Sequence, residues 1–317
     1  MRMRPLGHSG LQTAPLVFGG NVFGWTVDAA TSFKLLDAFV DSGFNAIDTA
    51  DAYSRWVPGH QGGESETVIG DWLQARPGRR ERVLLLTKVG SDMGAGRKGL
   101  SARWIEQAVE DSLRRLRTDH IDVYQAHWPD PQTPIDETLR AFESLLKAGK
   151  VRAIGTSNVS AAQLEHDLRL AGAQGLPRYS VLQPEYNLVE RAGFEDGLRD
   201  VALREGLGVI TYYSLASGFL SGKYRSAADA GQSPRGAGVA ARYLNPRGLR
   251  ILDALDAVAA RHAVHAAEIA LAWLIGRPGV TAPIASATSL QQLAGLTRAA
   301  RLVLTPADVA ELDAASA

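Results

Sequence analysis

The chain reads as α/β, a (β/α)8 TIM barrel with an N-terminal β-hairpin plug and a long loop after strand seven. Short apolar runs alternate with longer stretches of helical spacing along the whole sequence. Polar residues stand where successive apolar runs end, which is where a barrel gathers side chains into one pocket. The 317 residues suffice for one large barrel, so residues 1–317 read as a single domain.

Residues 1–14, with Gly7 and Ser9-Gly10, carry the turn chemistry of a small hairpin that closes one barrel end. Eight candidate strands follow at 16–19, 46–48, 83–88, 121–125, 153–155, 180–183, 209–211 and 282–285. Helical spacing occupies 28–42, 64–75, 101–116, 134–147, 160–171, 195–205, 265–276 and 289–299. Within 101–116, Ile105, Val109, Ser112 and Leu116 share one face, and Ser101 is placed to cap it. Ser160-Ala-Ala-Gln163 has the spacing of a reciprocal capping box. Pro129, Pro131 and Pro134 end the stretch after strand four, and the next helix is expected to restart with Thr133 as its cap. Residues 218–248, with Gly222, Gly231, Gly236, Gly238 and Pro246, form a long irregular stretch expected to be a lid, a binding loop or a disordered insertion. Thr305-Pro306 opens a last helix near 306–315.

Hydrophobic content of 45% and charged content of 21% are ordinary for a globular protein, and no run of about 18 apolar residues could span a bilayer. A formal net charge of +0 gives no electrostatic reason to expect nucleic acid or an anionic membrane as a partner. The absence of cysteine excludes disulfides, thiolate nucleophiles and cysteine-ligated metals. The start, MRMRPLGHSG, lacks the apolar core of a secretory signal, so the expected compartment is the cytoplasm.

The chemistry concentrates at strand ends: Asp48 and Tyr53 after 46–48, Lys88 closing 83–88, and His127 after 121–125. Taken singly, Asp48 reads as well as a loop carboxylate and His127 as a core histidine. Together they supply a carboxylate, a phenol, an ammonium and an imidazole, a set able to move a proton onto or off a carbonyl oxygen. A buried ammonium needs a counter-charge, which Asp48 on the neighbouring strand can supply. Lys88 beside Tyr53 is expected to favour phenolate and so make Tyr53 a readier proton donor. A neutral His127 would donate a hydrogen bond to the same oxygen. Trp25, Trp56 and Trp128, from loops one, two and four, are candidates for the walls of an apolar substrate cleft.

Neither a G-x-S-x-G elbow nor an H-E-x-x-H or H-x-x-E-H set occurs, so no metal is expected and redox chemistry requires a bound cofactor. Gly94-Ala-Gly96-Arg-Lys-Gly99 matches G-x-G-x-x-G, but the following helix starts only near Ser101. A dinucleotide fingerprint needs its glycines at the strand-to-helix turn itself, so this segment reads as a solvated loop.

Several spaced blocks occur in order: Asn45-Ala-Ile-Asp-Thr-Ala-Asp-Ala-Tyr53, Leu86-Thr-Lys88, Asp122-Val-Tyr-Gln-Ala-His127, Gly149-Lys-Val-Arg-Ala-Ile-Gly-Thr-Ser-Asn158, Gln183-Pro-Glu-Tyr-Asn187 and Tyr213-Ser-Leu-Ala-Ser-Gly218. Over nearly its full length the chain thereby resembles the aldo-keto reductase family, and its Trp56 to His60 and Gly63 to Glu66 insertion resembles bacterial members of broad substrate range. The resemblance implies reversible reduction of an aldehyde or ketone, with Asp48, Tyr53, Lys88 and His127 as the tetrad and Tyr53 as general acid. It implies a nicotinamide cofactor whose carboxamide meets Ser157, Asn158 and Gln183, whose ring meets Tyr213, and whose pyrophosphate meets Ser214, Leu215, Ser217 and Gly218.

Relatives that bind a 2′-phosphate place cationic side chains after strand eight. There this chain has Ser286, Ala287 and Gln292, with Arg298 nearby. NAD(H) stays open because these positions lack cations, and NADP(H) is the implied cofactor, for which Lys223, Arg225, Arg235 or Arg242 could supply the charge. Two other readings are open: NAD-dependent oxidation of a sugar or polyol, and a non-catalytic cofactor-binding regulatory module resembling potassium-channel β subunits. In each, the small-molecule partner is a carbonyl compound, an alcohol or the nucleotide itself.

Overall fold

The computed structural model describes residues 2–317. Strands β1 (Arg4–Pro5) and β2 (Gln12–Thr13) pair antiparallel as the expected hairpin. Eight parallel strands then close a barrel: β3 (Val17–Gly19), β4 (Ala46–Asp48), β5 (Leu84–Val89), β6 (Ile121–Ala126), β7 (Val151–Ser157), β8 (Val181–Gln183), β9 (Gly208–Thr211) and β10 (Ala282–Ala285). They pair in chain order, with β10 closing against β3. The fold is the expected (β/α)8 barrel with its hairpin.

Side-chain alternation divides each strand between two apolar layers. Val17, Ala46, Leu84, Leu86, Val123, Ala153, Val181, Ile210, Ala282 and Ile284 pack inside the barrel. Phe18, Ile47, Leu85, Tyr124, Ile154 and Leu182, at the intervening positions, pack outward against the helices. Leu6 and Leu11 of the hairpin join the inner layer, so β1 and β2 stopper the barrel end where the strands begin. Gly7 has φ +60°, and a Cβ there would fall 2.2 Å from the Ser180 carbonyl and 2.5 Å from the Gly208 nitrogen. Only glycine allows that approach.

The surrounding helices are α1 (Ala29–Asp41), α2 (Glu64–Gln74), α3 (Ala102–Leu116), α4 (Ile135–Lys147), α5 (Ala161–Gln174), α6 (Ala192–Glu195), α7 (Leu198–Arg204), α8 (Gly236–Tyr243), α9 (Pro246–His262), α10 (Ala266–Ile275), α11 (Leu290–Ala299) and α12 (Pro306–Ser316). Ser101 caps α3 through the Trp104 N–H, Ser160 and Gln163 form the capping box of α5, and Thr305 caps α12 with Pro306 in its first turn. Thr133 does not cap α4: Pro134 holds that position, and the Thr133 hydroxyl instead donates to Asp130 at 2.7 Å. The single helix expected at 195–205 is two, α6 and α7, separated at Gly197 with φ +93°.

The stretch 218–248 is ordered, not irregular. It contains two 3-10 segments, Ala216–Ser221 and Ala227–Gln232, then α8 and the start of α9. Two of its glycines serve close packing: a Cβ on Gly236 would fall 2.0 Å from the Ala230 carbonyl and one on Gly248 1.9 Å from the Tyr243 carbonyl. Helix α9 is unmarked in the sequence reading, yet Asn245 caps it, Pro246 opens it, and Ile251, Leu252, Leu255 and Val258 line its buried face. Among the described residues no single helix is long and apolar enough to cross a membrane.

Gly7→Ala is expected to destabilise the protein by about 2–3 kcal/mol through strain at the stopper. Equilibrium urea unfolding measures this as a lowered midpoint with an unchanged slope.

Candidate active site

The alternation that fills the barrel also builds the site. Two residues beyond Ala46 stands Asp48, two beyond Leu86 stands Lys88, two beyond Val123 stands Gln125, and two beyond Val181 stands Gln183. Each therefore points inward, one layer above the apolar filling, at the end where the strands finish. Asp48, Lys88, Gln125 and Gln183 are all buried.

Lys88 is completely enclosed, and its ammonium uses three donors on three partners: Asp48 Oδ2 at 2.7 Å, the Thr49 carbonyl at 2.7 Å and the Tyr53 hydroxyl at 3.0 Å. Asp48 Oδ1 accepts from Gln183 Nε2 at 2.9 Å. The Tyr53 hydroxyl lies 3.4 Å from Asp48 Oδ2, a weak contact. His127 Nδ1 lies 2.9 Å from the Ser91 hydroxyl, and its ring meets Tyr53 edge-on with centroids 6.1 Å apart. The sequence-predicted tetrad thus converges on one spot.

Burial sets the protonation states. It pushes the Tyr53 phenol well above its ordinary value, and the adjacent Asp48 carboxylate pushes the same way. The expected cation-driven drop is not found: desolvation, and after it the Asp48 carboxylate, raise the phenol instead. Burial lowers the Lys88 ammonium despite Asp48. Burial, with a smaller push from Lys88, lowers the His127 imidazole to about 3.

A cleft of about 1450 Å³ opens over these groups. Ser157, Asn158 and Gln183 line it, but much of their polar capacity is internally engaged. The Ser157 hydroxyl donates to the Gln183 carbonyl at 2.7 Å, and Asn158 Nδ2 donates to the His127 carbonyl at 2.8 Å. Asn158 Oδ1 accepts from the Tyr212 hydroxyl at 2.7 Å. Beyond them the wall runs through Tyr213, Ser214, Leu215, Ser217 and Gly218, a tight turn with positive φ at Tyr213, Ala216, Ser217 and Gly218. The Tyr213 carbonyl is held by Asn187 Nδ2 at 3.0 Å, and its side chain is 44% exposed. Ser286 and Gln292 line the far wall, where Ser286 donates to Asn21 Oδ1 at 2.6 Å and Gln292 Oε1 accepts from the Thr288 N–H at 2.8 Å.

Trp56 and Trp128 line the cleft, each 50% exposed, whereas Trp25 packs edge-on behind Trp56 at 5.4 Å and is absent from the lining. Trp128 stacks on His127 at 6.0 Å. The sequence reading missed Ser91, Gln125, Tyr212 and Glu268. The inward parity of strand 121–126 signals Gln125, but Ser91 sits in a loop with no periodicity to read. In that loop the G-x-G-x-x-G segment folds as a turn closed by the Met93 N–H on the Arg97 carbonyl at 2.8 Å, apart from the start of α3.

The sequence model of the Aldo/keto reductase family matches residues 15–317. "Protein tas" of Escherichia coli (strain K12) is 32% identical over 342 residues, covering 99% of this chain and 97% of that protein. "Aldo-keto reductase YhdN" of Bacillus subtilis (strain 168) is 34% identical over 308 residues, covering 93% and 86%. A "Probable voltage-gated potassium channel subunit beta" of Oryza sativa subsp. japonica is 33% identical over 326 residues, covering 99% and 96%.

The depressed value of His127 has a testable sign. Between its ordinary 6.5 and about 3 the unfolded chain binds a proton that the native chain does not, so stability is full above that window and falls as pH drops through it. Heteronuclear NMR is expected to show a neutral His127 ring across about pH 5 to 8. A ring that titrates within that range contradicts the enclosure described here.

Proposed function

The chain belongs to the aldo/keto reductase family, and from that premise we propose that it catalyses the reversible reduction of an aldehyde or ketone to an alcohol with a nicotinamide dinucleotide. The observation that carries this reading is the Lys88 ammonium held 2.7 Å from Asp48 and 3.0 Å from the Tyr53 hydroxyl at the rim of the cleft. Lys88 donates to the phenol oxygen, and the phenol's own hydrogen has only the weak 3.4 Å contact to Asp48 to give up when a carbonyl oxygen enters the cleft. Tyr53 is then the general acid, and its raised value keeps it protonated until a carbonyl oxygen gains negative charge.

His127 is neutral. With Ser91 donating to Nδ1, its hydrogen lies on Nε2, free to hold the same carbonyl oxygen in line. Asp48 keeps Lys88 charged and oriented, and Gln183 fixes Asp48. The bulk and exposure of Trp56 and Trp128 suit a flat or apolar carbonyl compound.

The cleft fits a nicotinamide dinucleotide: its 1450 Å³ exceeds the roughly 300–1000 Å³ of an ordinary small-molecule pocket, leaving room for an extended nucleotide and a substrate. Such a nucleotide supplies the hydride. Tyr213 offers an exposed aromatic face for its ring, and Ser157 and Asn158 its carboxamide partners. Ser214, Leu215, Ser217 and Gly218 form the turn for its pyrophosphate, with Ser286 and Gln292 towards the adenosine. NADP(H) is the form the family resemblance implies, with oxidation of an alcohol as the same chemistry reversed.

Tyr53→Phe is expected to lower kcat for reduction of an aromatic aldehyde by on the order of 10²–10⁴-fold. Nucleotide affinity, followed by tryptophan fluorescence, should stay close to wild type. Retained turnover removes Tyr53 as the acid. A wild-type protein that binds nucleotide yet reduces no aldehyde points instead to a regulatory module, the role named for the rice relative.

A further inference from the structure

Four side chains with a permanent positive charge line the cleft: Arg55, Lys223, Arg235 and Arg298. Arg55 reaches the Asp92 carbonyl, Arg235 lies over the Trp25 ring at 4.8 Å, and Lys223 lies over the Tyr224 ring at 5.0 Å. Among the described residues, Arg298 alone of these is paired with a carboxylate. Its Nε is 3.0 Å from Glu268 Oε2 and its Nη2 is 2.7 Å from Glu268 Oε1, a two-point contact.

Glu268 comes from the first turn of α10, and its side chain is 2% exposed although it forms part of the cleft wall. Its other contact is weak, from the His265 N–H at 3.4 Å. A carboxylate so enclosed depends on its guanidinium, because pulling Arg298 away would leave a buried charge unpaired. Arg298, although its side chain is 54% exposed, is therefore held against Glu268 through Nε and Nη2, with its charge already met by a carboxylate. Beside the pair stands Gly295, where a Cβ would lie 3.5 Å from Glu268 Oε1 and 3.7 Å from Arg298 Nη2, so no side chain of that residue covers it.

We propose that Glu268 sets the nucleotide preference of this site: by holding Arg298 it denies a 2′-phosphate its guanidinium, so the protein takes NADH about as readily as NADPH. The inference rests on the reading that the cleft binds a nicotinamide dinucleotide with its adenosine towards α11, where Gln292 and Arg298 stand. General chemistry supports the sign. A carboxylate accepts from a ribose 2′-hydroxyl and repels a 2′-phosphate, whereas a free arginine does the reverse.

The test is equilibrium binding of NADPH, NADH, 2′,5′-ADP and 5′-ADP to the full chain by calorimetry. Wild type is expected to bind NADPH and NADH within about tenfold of each other. Glu268→Gln keeps the reciprocal cap of α10, since glutamine serves at the same position, and releases Arg298. It should tighten NADPH and 2′,5′-ADP by on the order of tenfold while moving NADH and 5′-ADP less than about threefold. Adding Arg298→Met should erase that gain. Arg298→Met alone should shift the NADPH to NADH ratio by less than about threefold, because the guanidinium is already engaged by Glu268.

A wild type that prefers NADPH by more than about a hundredfold overturns the proposal, as does a ratio unmoved by Glu268→Gln or a gain that survives Arg298→Met. If neither dinucleotide binds wild type, the dinucleotide reading falls and this inference with it. If both bind and only the ratio fails to move, this inference alone falls.

Discussion

The enclosed ammonium of Lys88 is the constraint around which the rest of the site is arranged. A positive charge with no solvent access has to find a counter-charge and a partner for every N–H. Here strand β4 supplies Asp48 and the residue just after it the Thr49 carbonyl, and the third donor goes to the Tyr53 hydroxyl. Satisfying Lys88 therefore fixes where the phenol oxygen must sit, at the rim of the cleft. Removing Asp48 would strand a buried charge, so the same pair that orients the chemistry also ties β4 to β5.

Burial acts on all three proton-bearing groups at once. It holds Tyr53 as a phenol and His127 as a neutral ring, so neither adds charge to the cleft. The enclosing walls come from different elements: the hairpin seals the opposite barrel end, Trp128 stacks on His127, and Trp25 backs Trp56. The 216–262 region, packed through α8 and α9, completes the cleft on the side of Tyr213 and Lys223. Similarity to both reductases and a channel-subunit protein means that the arrangement of these groups, more than the barrel, carries the functional reading.

Much of this was legible in the sequence because barrel strands alternate with a period of two. Parity alone aims Asp48, Lys88 and Gln183 inward, and the capping chemistry of Ser101, Ser160 and Thr305 marks three helix starts. What failed to read had local physical causes. The glycines of 218–248 looked like looseness, but Gly236 and Gly248 permit backbone contact closer than a Cβ allows. Thr133 chose Asp130 over a helix N–H because the proline at 134 already begins the turn. The direction of the Tyr53 shift depends on desolvation and on the nearness of the Asp48 carboxylate, and neither has a sequence signature. Ser91 and Glu268 reach the cleft only through tertiary packing, from a loop and from the first turn of a buried helix.

The most direct measurement is reduction of an aromatic aldehyde by the wild-type protein with a nicotinamide nucleotide deuterated at its reducing carbon, run in H2O and in D2O. A phenol poised beside Lys88 predicts alcohol labelled at the former carbonyl carbon, with turnover slower in D2O because the Tyr53 proton moves as the carbonyl is reduced. Nucleotide that binds tightly while the aldehyde is recovered unlabelled and unreduced would contradict it.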